Sequence, residues 1–353
     1  MDFWGIAAQL CLLAVGFVFL SKGADWFVDG ASWIAKKFGI PQIVIGLTIV
    51  AFGTSLPEAA VSITSAVQES AELAIGNIIG SNILNIFLIL GISALFASLT
   101  VQKTTLYIEI PYTVVISVVL MIMGFIGGQL GWIDGLILWV LFIAFLVYLI
   151  VLFMKGKNKN PELLNPVDGA EQNNTADVVV EAEGAAVAKT EKKGIEALKM
   201  IAKLVFGISI VVLGSQMAVN GARTIAREVG MSESLIGLTI VAFGTSLPEL
   251  VTSVAAARKG ECDIAIGNIV GSNIFNILFI LGTSALITPI AYNTSFLTGF
   301  TFDNIMAIAA AVVLFLCIVL TKDKKLKKAG GITMLVIYAA YFAWLIVKDF
   351  KFN

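Results

Sequence analysis

The chain contains no histidine, only three cysteines in 353 residues, and few charges, with 13% Asp, Glu, Lys and Arg together. Each shortage closes off a class of chemistry. Without histidine, the commonest transition-metal ligand is missing, and so is the side chain best suited to relaying protons near neutral pH. Cys11, Cys262 and Cys317 are scattered and odd in number, which argues against a disulfide framework or a thiolate metal site. They are expected to be small buried hydrophobes. No nucleophile–base pair stands at a catalytic spacing, so no enzyme activity is expected. Nor is an organic cofactor, a nucleic-acid partner or an obligatory protein partner.

The missing charge is replaced by apolar residues. The chain is 58% hydrophobic, where soluble domains are about half apolar and about one-quarter charged. Stretches long enough to cross a bilayer, about 20 residues each, recur along it. Ten spans are expected: 3–35, 41–67, 72–98, 104–126, 131–154, 195–221, 232–257, 263–288, 299–321 and 329–348. The first has neither a basic head nor a small-residue cleavage site, as befits a retained helix.

The few charges are unevenly placed. Lys36 and Lys37 follow the first span, Lys103 the third, Arg258 and Lys259 the seventh, and a lysine cluster from Lys322 to Lys328 the ninth. The loops after spans 2, 4 and 8 carry neither Lys nor Arg. The positive-inside rule then puts both termini outside and the 155–194 linker in the cytoplasm. Arg223 and Arg227 run against this pattern. The linker is polar and charged and is expected to be a mostly disordered tether.

The segment GLTIVAFGTSLPE occurs twice, at Gly46–Glu58 and, unchanged, at Gly237–Glu249, an offset of 191 residues. At the same offset IGNIIGSNILNI (Ile75–Ile86) answers IGNIVGSNIFNI (Ile266–Ile277). The chain therefore reads as an all-α membrane protein made of one five-span unit used twice, 1–154 and 195–353. An odd number of spans forces the two units into opposite orientations, the inverted-repeat plan of many secondary transporters, with binding near mid-membrane.

Each repeat sets a proline beside an acid. Proline removes a backbone donor and crowds the preceding turn. Pro57 is thus expected to free the Gly53 carbonyl and loosen Ala51–Thr54, and Pro248 to free that of Gly244 and loosen Ala242–Thr245. A carboxylate near the bilayer centre costs at least about 2.5 kcal/mol and is by default functional. Thr54 and Glu58 share a helix face, as do Thr245 and Glu249. In the next span, so do Asn77, Ser81 and Asn85, and likewise Asn268, Ser272 and Asn276. Folding the halves together would gather carboxylates, hydroxyls, amide oxygens and freed carbonyls. An all-oxygen set suits hard cations such as calcium, and sodium accepts the same ligands. Ser55, Ser246, Asn82 and Asn273 are open between ion ligation and gluing helices together. Asp25 and Asp29 read as helix-end or interface residues, and Glu109, Asp134 and Asp303 as reaching the headgroups.

With GTSLPE followed by GNIIGSNILN, then GTSLPE followed by GNIVGSNIFN, the chain resembles the paired alpha-repeats of the cation/calcium exchanger superfamily, prokaryotic-type, in its sodium/calcium exchanger branch. The resemblance covers about residues 23–99 and 214–290. It implies ten helices and alternating access around one cluster of ion sites, exchanging about three sodium ions for one calcium. The implied ligands are Glu58 and Glu249, the side-chain oxygens of Thr54, Ser81, Thr245 and Ser272, and the carbonyls of Ala51, Thr54, Ala242 and Thr245. Asn85 and Asn276 would close the middle. Potassium-dependent relatives carry an aspartate at the position of Asn276, which speaks against potassium coupling here. The linker is too short for the folded calcium-sensing domains of animal exchangers. Proton/calcium antiport is the nearest competing reading and a passive cation channel the competitor of a different class. The expected location is the prokaryotic plasma (inner) membrane.

Overall fold

The computed structural model describes residues 3–67, 71–159, 182–228, 242–296 and 299–352. Among the described residues, regular structure is helical apart from four two-residue strands. In chain order the helices are α1 (Phe3–Phe38), α2 (Gln42–Thr54), α3 (Leu56–Val67), α4 (71–96), α5 (Thr105–Gly127) and α6 (Trp132–Lys159). They continue with α7 (Ala182–Glu228), α8 (Ala242–Thr245), α9 (Leu247–Arg258), α10 (Cys262–Ile287), α11 (Thr301–Val319) and α12 (Lys328–Phe352).

Among the described residues, eight helices are long and apolar enough to cross a membrane, and a ninth span results if α2 and α3, bent by 52°, count as one. The expected span 232–257 is described only from Ala242; the preceding 229–241 lie outside the described residues, as do 160–181 of the linker. Helix α6 continues to Lys159, and α7 begins at Ala182, so described helix enters the linker from both ends.

The two breaks have the same cause. Ser55 (φ −83°, ψ 8°) and Ser246 (φ −90°, ψ 7°) leave the helical region. Pro57 and Pro248 follow in the first turn of the next helix, where a missing N–H costs nothing. The carbonyl that Pro248 frees is taken up by Ser215 of α7, whose Oγ donates to Gly244 O at 2.7 Å. The matching position in the first half is Ala24, which has no hydroxyl to offer.

The centre of the fold is α4 and α10. Their most apolar windows are 78% and 94% buried, against 11–33% for the other spans. Helix α2 lies directly on α10, and a Cβ on Gly46 would sit 3.0 Å from the Cα of Gly267. Small residues let two backbones approach this closely in a membrane, where packing rather than the hydrophobic effect joins helices. Helices α1 and α7 run against each other in the same manner, and a Cβ on Gly207 would meet Phe27 N at 2.5 Å.

Two short straps tie the halves together at the loops. β1 (Leu99–Thr100) pairs antiparallel with β4 (Lys325–Leu326), and β2 (Gln129–Leu130) with β3 (Ile290–Ala291). Each strap joins loops that the lysine pattern assigns to one membrane side.

Two expectations are corrected. Glu109 does not reach the headgroups: it is fully buried, and its Oε1 accepts from the Tyr148 hydroxyl of α6. Asp303 stays in the first turn of α11, where it accepts from the Tyr341 hydroxyl at 2.8 Å. Cys11 is exposed, and Cys262 and Cys317 are half-buried; all three thiols are free. The apolar surroundings of a lipid-facing position accept a thiol as readily as a protein core does, so composition could not separate the two.

Candidate ion-binding site

The two glutamates lie at the breaks and are sealed from solvent, Glu58 at 1% exposure and Glu249 at 0%. Each is held by the other half. Ser55 Oγ donates to Glu249 Oε1 at 2.8 Å, and Ser246 Oγ donates to Glu58 Oε1 at 2.9 Å. The geometry thus gives Ser55 and Ser246 a part in the carboxylate layer. Around it, the hydroxyls of Thr54 and Ser272 face Glu249, and that of Thr245 faces Glu58. Ser81 Oγ lies 3.3 Å from Ser246 Oγ, and Ser272 Oγ lies 3.5 Å from the Ala51 carbonyl. Ala242 opens α8, and its side chain lies outside the described residues.

Next to this layer, through the neighbours Ser81–Asn82 and Ser272–Asn273, stands a second layer of four asparagines. Asn82 Nδ2 donates to Asn273 O at 3.2 Å, and Asn273 Nδ2 returns a bond to Asn82 O at 3.1 Å. Asn85 Nδ2 donates to Asn273 Oδ1 at 3.0 Å, and Asn276 Nδ2 donates to Asn82 Oδ1 at 2.9 Å. Asn82 and Asn273 therefore spend their amides on gluing α4 to α10 and on aiming Asn85 and Asn276.

Four buried side-chain oxygens in these layers have no partner: Glu58 Oε2, Glu249 Oε2, Asn85 Oδ1 and Asn276 Oδ1. They are two matched pairs from the two halves. A buried acceptor left unpaired is costly, and a buried carboxylate more so. No lysine or arginine pairs with either glutamate among the described residues. Four orphaned acceptors, two of them carboxylate oxygens, are a set that a cation could complete. With oxygen alone on offer, a hard cation fits and a soft one does not.

Two supporting residues were not foreseen. Ser62 accepts from Asn77 Nδ2 at 3.0 Å, and Ser253 accepts from Asn268 Nδ2 at 2.9 Å. Their signal was present: both lie four residues after the glutamate of their own half. Asn268 Oδ1 lies 2.9 Å from Thr54 Oγ1, which links this support to the break in the other half. Asp25 and Asp29 sit apart, as expected, at a helix interface. Lys259 Nζ lies 2.8 Å from Asp29 and 3.3 Å from Asp25, and Lys203 Nζ lies 2.9 Å from Asp29.

Comparison with known proteins points the same way. A family model described as sodium/calcium exchanger protein matches residues 8–151 and 199–347. The inner membrane protein YrbG of Escherichia coli (strain K12) is 36% identical over 313 residues, covering 87% of each chain. The sodium/calcium exchanger MaX1 of Methanosarcina acetivorans is 34% identical over 360 residues, covering 96% of this chain and 99% of that one. Among solved structures, the sodium-calcium exchanger NCX_Mj soaked with zero Na+ and Ca2+ is similar with a TM-score of 0.75 and 30% identity, over 96% of this chain and 99% of that one.

Proposed function

The chain belongs to the sodium/calcium exchanger family, and we propose that it is a secondary antiporter exchanging sodium for calcium by alternating access at one site built from both halves. The observation that carries this reading is the set of four unpartnered oxygens on Glu58, Glu249, Asn85 and Asn276. The ligand assignment is the one expected from the motifs: Glu58 and Glu249 as acids, with Thr54, Ser81, Thr245, Ser272 and the carbonyls of Ala51 and Ala242 around them. Calcium and sodium are the cargo.

The architecture in this reading is ten spans in two inverted repeats, 1–154 and 195–353, joined by a cytoplasmic linker at 155–194. Its support is that bonds across the site come in pairs related by the 191-residue offset. Ser55 to Glu249 mirrors Ser246 to Glu58, and the Asn82–Asn273 bonds are reciprocal. Both termini lie outside, in the plasma membrane of a prokaryotic cell.

A cavity of about 470 Å³ reaches Asn77 and Ser81 of α4 between Phe17 of α1, Ala218 of α7 and Tyr341 of α12. In this topology all of these lie in the outer half of the bilayer, so the arrangement is outward-facing.

The site carries two fixed negative charges. One calcium ion or two sodium ions neutralise them, and a third sodium leaves the loaded carrier at about +1. One elementary charge moved across 100 mV is worth about 2.3 kcal/mol, which biases exchange more than tenfold. The test is calcium uptake into sodium-loaded proteoliposomes, with the sodium, potassium and proton gradients varied one at a time under a valinomycin clamp. Uptake should require internal sodium, respond to voltage, and be indifferent to replacing potassium by choline at zero voltage. Uptake without any counter-ion would indicate a channel, and uptake driven by protons alone would indicate a proton/calcium antiporter. A potassium requirement at zero voltage would overturn the argument from Asn276.

A further inference from the structure

One buried acid takes no part in the central site. Glu109 lies on α5 with 0% exposure, facing α6. One carboxylate oxygen, Oε1, accepts from Tyr148, whereas Oε2 has no partner. The Thr105 hydroxyl faces the same carboxylate but falls short of hydrogen-bond geometry, and the hydroxyls of Thr104 and Thr105 are both buried and unpartnered. Three orphaned oxygens thus occur within six residues of chain.

The backbone is unusual at the same place. Four π-helical turns occur among the described residues. Those at Gly46–Val50, Asn85–Leu90 and Asn276–Leu281 all belong to helices that build the central site. The fourth is Thr105–Glu109. Single π-turns concentrate at functional sites, and this one ends on the buried carboxylate.

Among the described side chains no cation neutralises it, and Lys103, two residues ahead of α5, is exposed. Helix α5 itself adds Tyr112, whose hydroxyl donates to Leu141 O on α6. Helix α10 contributes Asp263, which is taken by Gln102 at 2.6 Å. The inner half of α11 carries no charged residue, and its acid, Asp303, is bonded to Tyr341 at the outer end. Lys325 lies in the β1–β4 strap, opposite Thr100. No lysine or arginine forms an ion pair with Glu109 among the described residues. A bare carboxylate in such a wall is strongly unfavourable, and a bound monocation removes the net charge.

We propose that Glu109, with the hydroxyls of Thr105 and Tyr148, forms a second site for a monovalent cation, either a proton or a sodium ion, in the wall between α5 and α6. Binding takes the carboxylate from −1 to neutral, with the cation supplied by the solvent. Tyr148 keeps its proton on Oη throughout and holds Oε1 by donation. The site stands on its own geometry and is independent of which ions the central site exchanges.

The experiment compares the purified full-length chain in detergent with Glu109→Gln, using infrared spectroscopy and thermal melting with and without sodium. A carboxylic-acid C=O band present in the parent and absent from E109Q identifies a proton. A sodium-dependent rise in Tm that survives Glu58→Gln together with Glu249→Gln and disappears on adding E109Q identifies sodium. Either result supports the site. If E109Q changes neither signal, Glu109 holds no monocation and the proposal fails. Should E109Q not fold, Tyr148→Phe keeps the carboxylate and removes its donor. For a bound proton the C=O band must then shift to higher frequency, and for sodium the sodium-dependent rise in Tm must change in size. The absence of both effects overturns the proposal equally.

Discussion

GNIIGSN at Gly76–Asn82 and GNIVGSN at Gly267–Asn273 differ by one methylene, yet they occupy opposite surroundings. In the first copy, Gly80 is exposed, Asn77 is half-buried, and a Cβ added to Gly80 would meet nothing within 4 Å. In the second copy, every residue from Gly267 to Asn273 is buried, and a Cβ on Gly271 would sit 2.8 Å from Ala51 Cβ and from Leu47 Cα. The sealing helix is α2. Its counterpart in the second half would be residues 233–245, of which 233–241 lie outside the described residues, so the contrast rests on α4 and α10 themselves. It teaches that a repeated sequence need not occupy a repeated environment. The glutamates, serines and asparagines of the site keep the two-fold relation, whereas the walls leading to them break it. An alternating-access carrier needs this combination: one binding site of constant chemistry, and two approaches of which one is closed.

The strongest way to break the comparison is at the symmetric part. Glu58→Gln and Glu249→Gln should each lower calcium transport by more than about a hundredfold while leaving a folded protein. With calcium bound, each glutamate is one partner of a buried ion pair, and removing one partner of such a pair costs about 3–5 kcal/mol; the amide also turns a ligand oxygen into a donor. Uptake in proteoliposomes checks this, and a large difference between the two variants would refute the equivalence of the halves.

Next in size are Ser55→Ala and Ser246→Ala. Each deletes one hydrogen bond to the carboxylate of the opposite half. Bonds to charged groups are worth about 1.5–3 kcal/mol, so calcium affinity should fall at least roughly tenfold in both. Unequal losses, measured by titration of the purified variants, would show that only one serine matters.

The asymmetric part is tested by alanine at the two glycines. Gly271→Ala should destabilise the protein by about 1–3 kcal/mol through overpacking against α2. Gly80→Ala should leave stability within about 0.5 kcal/mol, as surface substitutions do. If α4 must also close during the cycle, Gly80→Ala still slows transport, because the added methyl obstructs a face that is sealed only in the other state. Equal melting temperatures for the two variants would remove the contrast.

The smallest effect concerns the breaks. Ser215→Ala leaves the Gly244 carbonyl without its hydroxyl partner and should cost about 1 kcal/mol. The reciprocal Ala24→Ser is expected to be near neutral, since the first break is built without that hydroxyl. Thermal melts of both variants decide it.

Much of this was legible because membrane burial and exact repetition are strong signals. Spans, breaks and the acids at the breaks follow from apolar length, from Pro57 and Pro248, and from the cost of an intramembrane carboxylate. The crossing of the serines was not legible, since Ser55 and Ser246 reach the other half and spacing along a chain reports only its own helix. The same limit hid the asparagine tetrad, in which Asn82 and Asn273 each bond the partner's backbone. Glu109 was misplaced because its distance from the helix end suggested a side chain reaching the headgroups. The partner that holds it inside is Tyr148, thirty-nine residues later. The difference between open α4 and sealed α10 has no sequence signal at all, because the two segments are nearly the same.

The claim that one cation site is shared by both halves is tested most directly by counting bound calcium. Equilibrium dialysis of the purified chain against labelled calcium, in sodium-free buffer, should give one ion per chain. It should give none for Glu58→Gln or for Glu249→Gln at the same calcium concentration. If either single variant still bound one calcium ion per chain with unchanged affinity, that glutamate would lie outside the site and the shared centre described here would be wrong.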